Sequence, residues 1–350
     1  MTSVDVVIPC YNYGRYLQSC VDSVLSQKGV DVRVLCIDDA SSDDTPQVAA
    51  ALAARDGRVA WRRHAVNHGH IATFNEGLLE WASASYSLLL SADDYLLPGA
   101  LAQATRLMEA EPAVGFTFGS AVLLRPGEPA PVLECGGQEP GRVMTGAEFV
   151  EMSGSRDLVP TATAVVRTAL QQRIGGYRPE LPHAGDMEMW LRFAAYAGVG
   201  MFATPQAVRR LHDTNMSLAY LIPHKVVLPD LQQRAAVFAT FFAGPATRLG
   251  DLSRLRVRTV GALAEEAVWE AHFAFEAGEI DACREIAEFA TDIYPRVRFS
   301  RPWATLALKR LLGSRAWAAI APTAAAMRSW PGWRPRSGPG THPDPIGIKR

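Results

Sequence analysis

The sequence lacks several features that define other classes of protein. Its five cysteines are scattered, odd in number and without a Cys-x-x-Cys pair, which argues against a disulfide scaffold or a structural zinc site and suits a reducing compartment. The N-terminus has no basic-then-apolar signal, and no apolar run reaches about 18 residues, so we predict a cytoplasmic protein without a membrane-spanning helix. The formal net charge of −1 predicts no binding of nucleic acid, which normally needs a clustered basic face.

The first hundred residues alternate between strand and helix patterns. Short β-branched or apolar runs predict strands at residues 4–8, 32–37, 59–63 and 86–90. Apolar residues at helical spacing predict helices between them, including one that begins near Pro46 and one at 71–82. Such alternation with short connections predicts a parallel α/β sheet, in which ligands bind outside the carboxyl ends of the strands.

The pattern changes further along the chain. We predict a helix at 101–111, an extended segment at 114–124, a Pro/Gly-rich loop at 125–141, a strand at 162–166 and a helix at 187–196. Beyond about residue 218 only helices are predicted, at 225–242, 255–277 and 280–294. The last twenty residues are rich in proline and glycine, which predicts a disordered tail.

Polar motifs follow three of the predicted strands. They read VVIPCYN at 6–12, IDDASSDDT at 37–45 and LLLSADDYLLPG at 88–99. In this order and spacing they resemble the nucleotide-sugar-binding half of the family 2 glycosyltransferases, and the resemblance extends over roughly residues 3–218. It implies an α/β fold of the GT-A type, with a Rossmann-like, mostly parallel sheet flanked by helices and, here, a C-terminal helical extension.

The resemblance also implies a domain organisation and an activity. The catalytic domain would occupy residues 1–218, with a nucleotide-binding half at about 1–97 and an acceptor half at 98–218, followed by a helical region at 219–330 and a tail at 331–350. The activity implied is metal-dependent inverting transfer of a hexosyl or N-acetylhexosaminyl group from a nucleotide sugar to an acceptor nucleophile.

Asp93 and Asp94 match the metal-binding carboxylates of the family. A departing diphosphate carries several negative charges, which a hard cation such as Mn²⁺ or Mg²⁺ would neutralise. The resemblance implies that Asp94 coordinates this metal and that Asp93 contacts the ribose or the water shell of the metal. Ser91 stands where many relatives carry a further aspartate, so the site has one carboxylate fewer. The structural alternative is an Asp-Asp turn that caps a helix beginning near Pro98.

Three residues are expected to hold the nucleotide base. Asp39 matches the carboxylate that accepts a hydrogen bond from the pyrimidine ring, and a ring N–H at that place selects uracil or thymine, hence a UDP- or dTDP-linked donor. By resemblance Pro9 contacts the base through its carbonyl and Tyr11 packs its ring against it.

The segment HAGDMEMWLR at 183–192 resembles the part of the family that supplies the base of the reaction. Asp186 falls on the catalytic position, where one carboxylate takes the proton of the acceptor in a single displacement. The alternative is that Asp186 caps the following helix, whose field would lower the pKa of its carboxyl. The remaining residues that we assign to the acceptor and donor sugar are Gly175, Gly176, Tyr177, Glu188 and Trp190.

His212 lies in RLHDTNMS at 210–217, which resembles a loop where many relatives place a histidine as a further metal ligand. Neutral imidazole can join carboxylates around Mn²⁺. A structural histidine is the alternative. Asn67, His68, Gly69 and Asn75 fall where relatives have a polar loop near the donor, and we also assign His68 and His70 to donor binding.

The partners beyond the donor are left open by the sequence. A glycan, a lipid-linked glycan and a small natural product or carrier-bound substrate all remain acceptors of interest, and a homodimer is not excluded. A basic segment with Trp303, Trp317, Trp330 and Trp333 fits either peripheral contact with the inner face of a membrane or packing of the helical layer, and packing is favoured.

Two other functions compete with glycosyl transfer. A sugar-nucleotide pyrophosphorylase would need a Gly-rich, basic phosphate loop after the first strand, where this chain has CYNYGR at 10–15. A non-catalytic carbohydrate-binding module would have no physical need for Asp39, Asp93, Asp94, Asp186 and His212 together.

Overall fold

The computed structural model describes residues 2–133, 141–213, 215 and 227–326. The predicted tail at 331–350, together with Trp330 and Trp333, lies outside the described residues. The described chain forms two compact units. The first runs to Asn215 and includes Ala236–Leu255, and the second contains the described parts of Met216–Ala235 and Arg256–Arg350.

Four parallel strands form the first half of the sheet, as predicted. They are β1 (Ser3–Cys10), β2 (Asp31–Asp38), β3 (Val59–Arg63) and β4 (Tyr86–Leu89), in the order β3-β2-β1-β4. The strand β1 is paired on both sides, with β2 and with β4, and its side chains from Val4 to Ile8 are fully buried. This burial on both faces explains why β1 is an almost continuous apolar run in the sequence.

Three helices connect these strands. They are α1 (Gly14–Leu25), α2 (Thr45–Arg55) and α3 (His70–Asn75). The predicted helix at 71–82 is present but changes after Asn75 into a π-helical turn, Glu76–Trp81. A Cβ at Gly77 would lie 2.2 Å from Cγ1 of Val7, so a glycine allows this turn to pack directly on β1.

The second half of the sheet contains both strand directions. Its elements are β5 (Tyr95–Leu96), α4 (Ala100–Ala110), β6 (Val114–Leu124), β7 (Arg142–Met144), α5 (Gly146–Ser153), β8 (Val165–Arg167), α6 (Thr168–Ile174), α7 (Gly185–Ala194) and β9 (Gly198–Arg210). The strand β8 lies antiparallel between β4 and β6, and β6 pairs in parallel with β9. The strands β5 and β7 pair antiparallel with β9. Since only β5, β7 and β8 are reversed, the sheet is mostly parallel, which confirms the predicted class.

Two details of this half differ from the sequence prediction. The predicted strand at 162–166 begins as a 3₁₀ turn, Thr161–Thr163, and β8 starts only at Val165. The strand β9 was not predicted because Gly198, Gly200 and Pro205 oppose a strand in the sequence. In the fold a Cβ at Gly200 would lie 2.6 Å from Leu107, so close packing explains that glycine.

Helices dominate the described residues from 227 to 326. They are α8 (Val227–Ala243), α9 (Leu252–Arg256), which continues through a π-helical segment (Val257–Gly261), α10 (Ala262–Glu276), α11 (Ile280–Ile293) and α12 (Arg301–Ala326), which is broken at Gly313. Lys309 is buried and pairs with Glu276 at 2.6 Å, and its ammonium lies 5.2 Å from the ring centre of Trp317. Among the described helices none is long and apolar enough to cross a membrane. The domain limits that we assigned from the sequence stay a prediction.

Candidate functional site

The loops after β1 and β2 meet at the carboxyl edge of the sheet. The backbone N–H of Asn12 donates to Ser41 Oγ at 2.9 Å, and Asn12 Oδ1 accepts from the N–H of Ser42 at 2.8 Å. Asn12 and Ala40 have φ angles of 59° and 61°, which few residues other than glycine adopt. Strained backbone of this kind concentrates at functional sites, where surrounding contacts hold it in place.

Asp39 lies in the loop after β2 and is held by the loop that precedes α3. Its Oδ1 accepts from the backbone N–H of His68 at 2.8 Å, and its Oδ2 accepts from that of Gly69 at 2.9 Å. Burial opposes ionisation, but these bonds and the contact with His64 lower the pKa of the Asp39 carboxyl below its usual value. A carboxylate has about four acceptor positions, so Oδ2 can still accept from a ligand.

His64 forms a second contact around Asp39 that sequence analysis did not predict. Its Nδ1 lies 2.7 Å from Asp39 Oδ1, and its Nε2 lies 2.7 Å from Glu76 Oε2. Its ring stacks on His68 with 4.4 Å between the centres. Burial lowers the pKa of His64, but the two carboxylates outweigh it and raise that pKa. The imidazole therefore fixes the direction in which Asp39 points.

Tyr11 and Pro9 extend the same edge. The Tyr11 side chain is 50% exposed, so its ring is free to pack against a ligand, and Pro9 is partly buried at the end of β1. Their predicted contacts with the base stay a prediction.

Asp93 is bound by the segment that follows β9. Its Oδ2 lies 3.0 Å from His212 Nε2 and accepts from Asn215 Nδ2 at 2.9 Å. The His212 ring stacks on Tyr16 at 5.0 Å and contacts Tyr13 edge-on at 5.4 Å. The structure therefore brings His212 to the carboxylate pair, as predicted, although it contacts Asp93 rather than Asp94. Its role as a metal ligand stays a prediction.

Asp94 is also buried but has one oxygen available. Its Oδ1 accepts from the backbone N–H of Arg210 at 3.1 Å, and within the described residues its Oδ2 accepts no hydrogen bond. Burial and the neighbouring charge of Asp93 raise the pKa of Asp94 to about 7. The helix-capping alternative is wrong, because α4 begins after Gly99 with no side-chain cap.

The chemistry of this pair fits a hard divalent cation. Asp94 has an available oxygen beside the Asp93 carboxylate, and a bound cation would relieve the repulsion that contributes to the raised pKa of Asp94. The described part of the chain contains no group of three or more His, Cys, Asp or Glu residues arranged around a metal. Mg²⁺ is commonly held by one or two carboxylates together with phosphates of the substrate, so a complete protein cage is not required.

Asp186 lies in the first turn of α7, beyond the N-cap position. The cap residue is Ala184, which makes no side-chain cap bond, so the capping alternative is wrong. The hydroxyls of Thr161 and Tyr177 donate to the Asp186 carboxylate. Burial nevertheless raises the pKa of Asp186, which corrects the sequence prediction that the helix field lowers it. A raised pKa makes this carboxylate a stronger base.

The glycine pair before Asp186 positions Tyr177. Gly175 has a φ of 90°, and Gly176 packs against Asn75. Asn75 Oδ1 accepts from the N–H of Tyr177 at 2.7 Å, while Asn75 Nδ2 donates to the Tyr177 carbonyl at 2.8 Å. Since Tyr177 donates to Asp186, this turn orients the proposed base.

We expect Gly176→Ala to destabilise the protein and to loosen this turn. The added Cβ would lie 2.1 Å from Asn75 Oδ1, and overpacking of this kind costs about 1–3 kcal/mol. The free energy of unfolding in urea measures the effect. Gly57→Ala is the matched control, because its Cβ would meet nothing within 4 Å. Equal stability of the two variants would contradict the close packing at Gly176.

Glu188 and Trp190 are both buried side chains of α7. Glu188 Oε1 accepts from Arg178 Nε at 3.0 Å, and its Oε2 accepts from Arg192 at 2.8 Å. Arg192 also donates to the carbonyl of Gly176 at 2.7 Å. Trp190 is buried and stacks on Phe116 at 5.4 Å. These contacts support the packing of α7, and the assignment of both residues to sugar binding stays a prediction.

Sequence analysis missed Arg209 and Asp157. Arg209 is exposed at the end of β9, a strand that was not predicted. Asp157 lies in the loop after α5, where the residue as a whole is exposed but its carboxyl group accepts from the N–H of Val159 at 3.0 Å. Burial of the carboxyl group raises the pKa of Asp94, Asp157 and Asp186, and in each case the positive charge of Arg209 opposes the rise. The Arg209 guanidinium is therefore within electrostatic range of both Asp94, the predicted metal ligand, and Asp186, the predicted base.

Comparisons with known proteins identify similar sequences. The model of the family described as Glycosyl transferase family 2 matches residues 5–125. The chain is 29% identical to an uncharacterized protein of Mycobacterium tuberculosis, over 59% of this chain and 66% of that protein. It is 38% identical to a chondroitin synthase of Pasteurella multocida, over 28% of this chain and 10% of the synthase. The chain thus spans less than two thirds of the length of these curated relatives.

Solved structures show the same fold. A mannosyltransferase from Pyrobaculum calidifontis in complex with GDP-Man and Mn²⁺ has a TM-score of 0.52 at 18% identity, covering 93% of this chain and 86% of that one. S. aureus TarS 1-349 in complex with UDP has a TM-score of 0.51 at 17% identity, covering 82% and 90%. Residues 5–125 therefore match family 2 of the glycosyltransferases, and the chain has the fold of these solved glycosyltransferases, the GT-A fold.

Proposed function

We propose that the protein transfers a sugar from a UDP- or dTDP-linked donor to an acceptor, with inversion at the anomeric carbon. The observation that carries this proposal is the position of Arg209. Its charge acts on both Asp94 and Asp186, so a carboxylate suited to a metal–diphosphate group and a carboxylate suited to a base border the same space.

The donor side is supported by Asp39. Its ionised carboxylate is fixed by His64 and by two backbone N–H groups, and it retains acceptor capacity for a pyrimidine N–H. Asp93 would contact the ribose or the water shell of a metal. The structural neighbours are complexes with UDP-GlcNAc, UDP and GDP-Man, so the choice of base is tested rather than assumed.

The metal side is supported by Asp94 and by His212 nearby. Asp94 would hold Mn²⁺ or Mg²⁺ through its available oxygen, and the neighbouring mannosyltransferase is described with Mn²⁺. When bound, such an ion would neutralise charge on the diphosphate of the leaving group.

Asp186 would act as the general base. Its carboxylate is oriented by Thr161 and Tyr177, and its pKa is raised by burial, which is the combination that efficient proton abstraction near neutral pH requires. In a single displacement the acceptor hydroxyl loses its proton to Asp186 as the bond from its oxygen to the anomeric carbon forms. The bond from that carbon to the diphosphate breaks at the same time.

The remaining partners stay predictions. Four predictions therefore stay open to experiment. They are the class of acceptor, peripheral contact with a membrane, a homodimer and a cytoplasmic location. Trp303 is partly buried and Trp317 packs near Lys309, which agrees with the packing alternative for the part of that segment that the structure describes.

A donor screen tests the proposed function. We expect UDP or dTDP, and one of their sugars, to raise the melting temperature when Mn²⁺ is present, and expect a smaller rise with EDTA. A rise with GDP and none with either pyrimidine nucleotide would contradict the role of Asp39. A single anomer of inverted configuration in the product, detected by NMR, would support inversion, and a retained configuration would overturn it.

The same assay separates the two rival functions. A pyrophosphorylase would release a nucleoside triphosphate from the nucleotide sugar when pyrophosphate is added, whereas a transferase releases the nucleoside diphosphate. A binding module would give the thermal shift but neither product.

A further inference from the structure

Arg209 is a cation in the candidate site to which the proposed function assigns no contact with the substrate. It is exposed at the end of β9, and among the residues that the structure describes its side chain has no hydrogen-bond or ion-pair partner. Its neighbour Arg210 differs, because that side chain donates to the Asp93 carbonyl at 2.7 Å and to Ser19 Oγ at 2.8 Å. Successive side chains of a strand point to opposite faces, so Arg209 points away from the contacts that hold Arg210.

The position of Arg209 relative to the carboxylates is fixed by the backbone. The N–H of Arg210, the next residue, donates to Asp94 Oδ1 at 3.1 Å. The register of β9 against β6 pairs Arg209 with Leu123. Arg209 therefore lies near the carboxyl end of both strands. The backbone of Arg209 therefore lies next to Asp94, the proposed metal ligand. Its positive charge also acts on Asp157 and on Asp186, the proposed base.

The charge balance of the site indicates what Arg209 would bind. Four carboxylates border this region, namely those of Asp93, Asp94, Asp157 and Asp186, and they repel an anionic group. A diphosphate adds further negative charge when its bond to the sugar breaks, so a cationic side chain is needed to offset this charge beside the carboxylates.

We propose that Arg209 binds the diphosphate of the nucleotide-sugar donor and stabilises it as the leaving group. This inference rests on the proposed donor binding. In the transfer, the electron pair of the broken bond stays on the diphosphate oxygen, where the guanidinium donates hydrogen bonds, while the acceptor proton goes to Asp186. The planar guanidinium is suited to two phosphate oxygens at once.

Isothermal titration calorimetry with UDP, uridine and inorganic pyrophosphate tests this assignment. We expect Arg209→Gln to weaken binding of UDP and of pyrophosphate about 10- to 100-fold, the loss typical of a hydrogen bond to a charged group. Binding of uridine is expected to be unchanged. Arg209→Lys should recover part of the UDP affinity, because it restores the positive charge but not the paired N–H donors of the planar guanidinium. The salt dependence of UDP binding should decrease in Arg209→Gln and return in Arg209→Lys.

Arg142→Gln is the matched control. Arg142 is exposed on β7 and pairs with Met201, eight residues before Arg209 along β9. The Arg142→Gln substitution therefore removes one positive charge far from the site. Unfolding temperatures of all variants show whether the fold is retained. Unchanged UDP affinity in Arg209→Gln, beside a wild type that binds UDP, would overturn the inference alone. A wild type that binds neither UDP nor pyrophosphate, with or without Mn²⁺, would overturn the proposed donor binding as well.

Discussion

Asp186→Asn should lower kcat by about 10²- to 10⁴-fold, the contribution typical of a general base, while the Kd for UDP stays close to that of the wild type. The asparagine oxygen can accept the hydrogen bonds of Thr161 and Tyr177, so the local geometry is kept and only proton abstraction is lost. Turnover is measured as transfer to the acceptor, or to water until an acceptor is known, and Kd by calorimetry.

The pH profile of kcat gives an independent test of the same residue. Burial raises the pKa of Asp186, and a base acts only when it is unprotonated. Activity should therefore be present above that raised pKa and fall as the pH falls through it, at a higher pH than an ordinary aspartate would give. This acid limb should be missing from the residual activity of Asp186→Asn.

Asp157→Asn is the comparison that identifies the base. Asp157 lies within electrostatic range of Asp186 but its carboxyl group is bound to the backbone of Val159, so we expect the smaller loss of kcat there. A larger loss in Asp157→Asn than in Asp186→Asn would assign the base to Asp157. Glu188 is a poor substitute, because both of its oxygens are bound by arginines.

Asp94→Asn should remove the metal-dependent part of donor binding. We expect the Kd for UDP measured with Mn²⁺ to rise to the value measured with EDTA, since the available carboxylate oxygen and its charge are lost together. Calorimetry with and without Mn²⁺ measures this for both proteins. A Kd that still decreases on addition of Mn²⁺ would remove Asp94 from the metal site.

Stability should change in the opposite direction, which separates lost binding from lost folding. The pKa of Asp94 is raised to about 7 by burial and by Asp93, above the value of about 3.9 expected in the unfolded chain. Ionisation at pH 8 therefore destabilises the folded protein when no metal is bound. Asp94→Asn removes this cost, so in EDTA at pH 8 it should melt at a higher temperature than the wild type.

The first half of the fold could be predicted from the sequence because its signals are local. The strands β1 to β4 are short apolar runs between helices of clear period, and parallel pairing follows from that alternation. The carboxyl ends of parallel strands meet at one edge of a sheet. The sequence alone therefore predicts that Asp39 and Asp93, which follow β2 and β4, lie at the same edge.

The second half of the sheet could not be predicted in the same way, because its strands are defined by contacts between distant parts of the chain. The strand β9 contains two glycines and a proline among its first eight residues, and its pairing with β6 joins residues about eighty-five positions apart, so no local pattern identified it. Arg209 was missed for the same reason. Glu188 and Trp190 share the motif of Asp186, yet helix α7 turns them into the protein interior, and spacing in the motif did not reveal that difference.

The candidate site is built from two separate stretches of the chain, one before and one after the reversed strand β8. Asp39 and Asp93 follow strands of the parallel half, whereas Asp186 belongs to α7, after β8 has changed the direction of the chain. Under the proposed roles, we expect substitutions that alter the choice of nucleotide to fall in one stretch of the gene and those that alter the choice of acceptor to fall in another. A library that recombines natural sequences near residue 98 would exchange these two specificities as separate blocks, with Arg209 as the point where their compatibility must be kept.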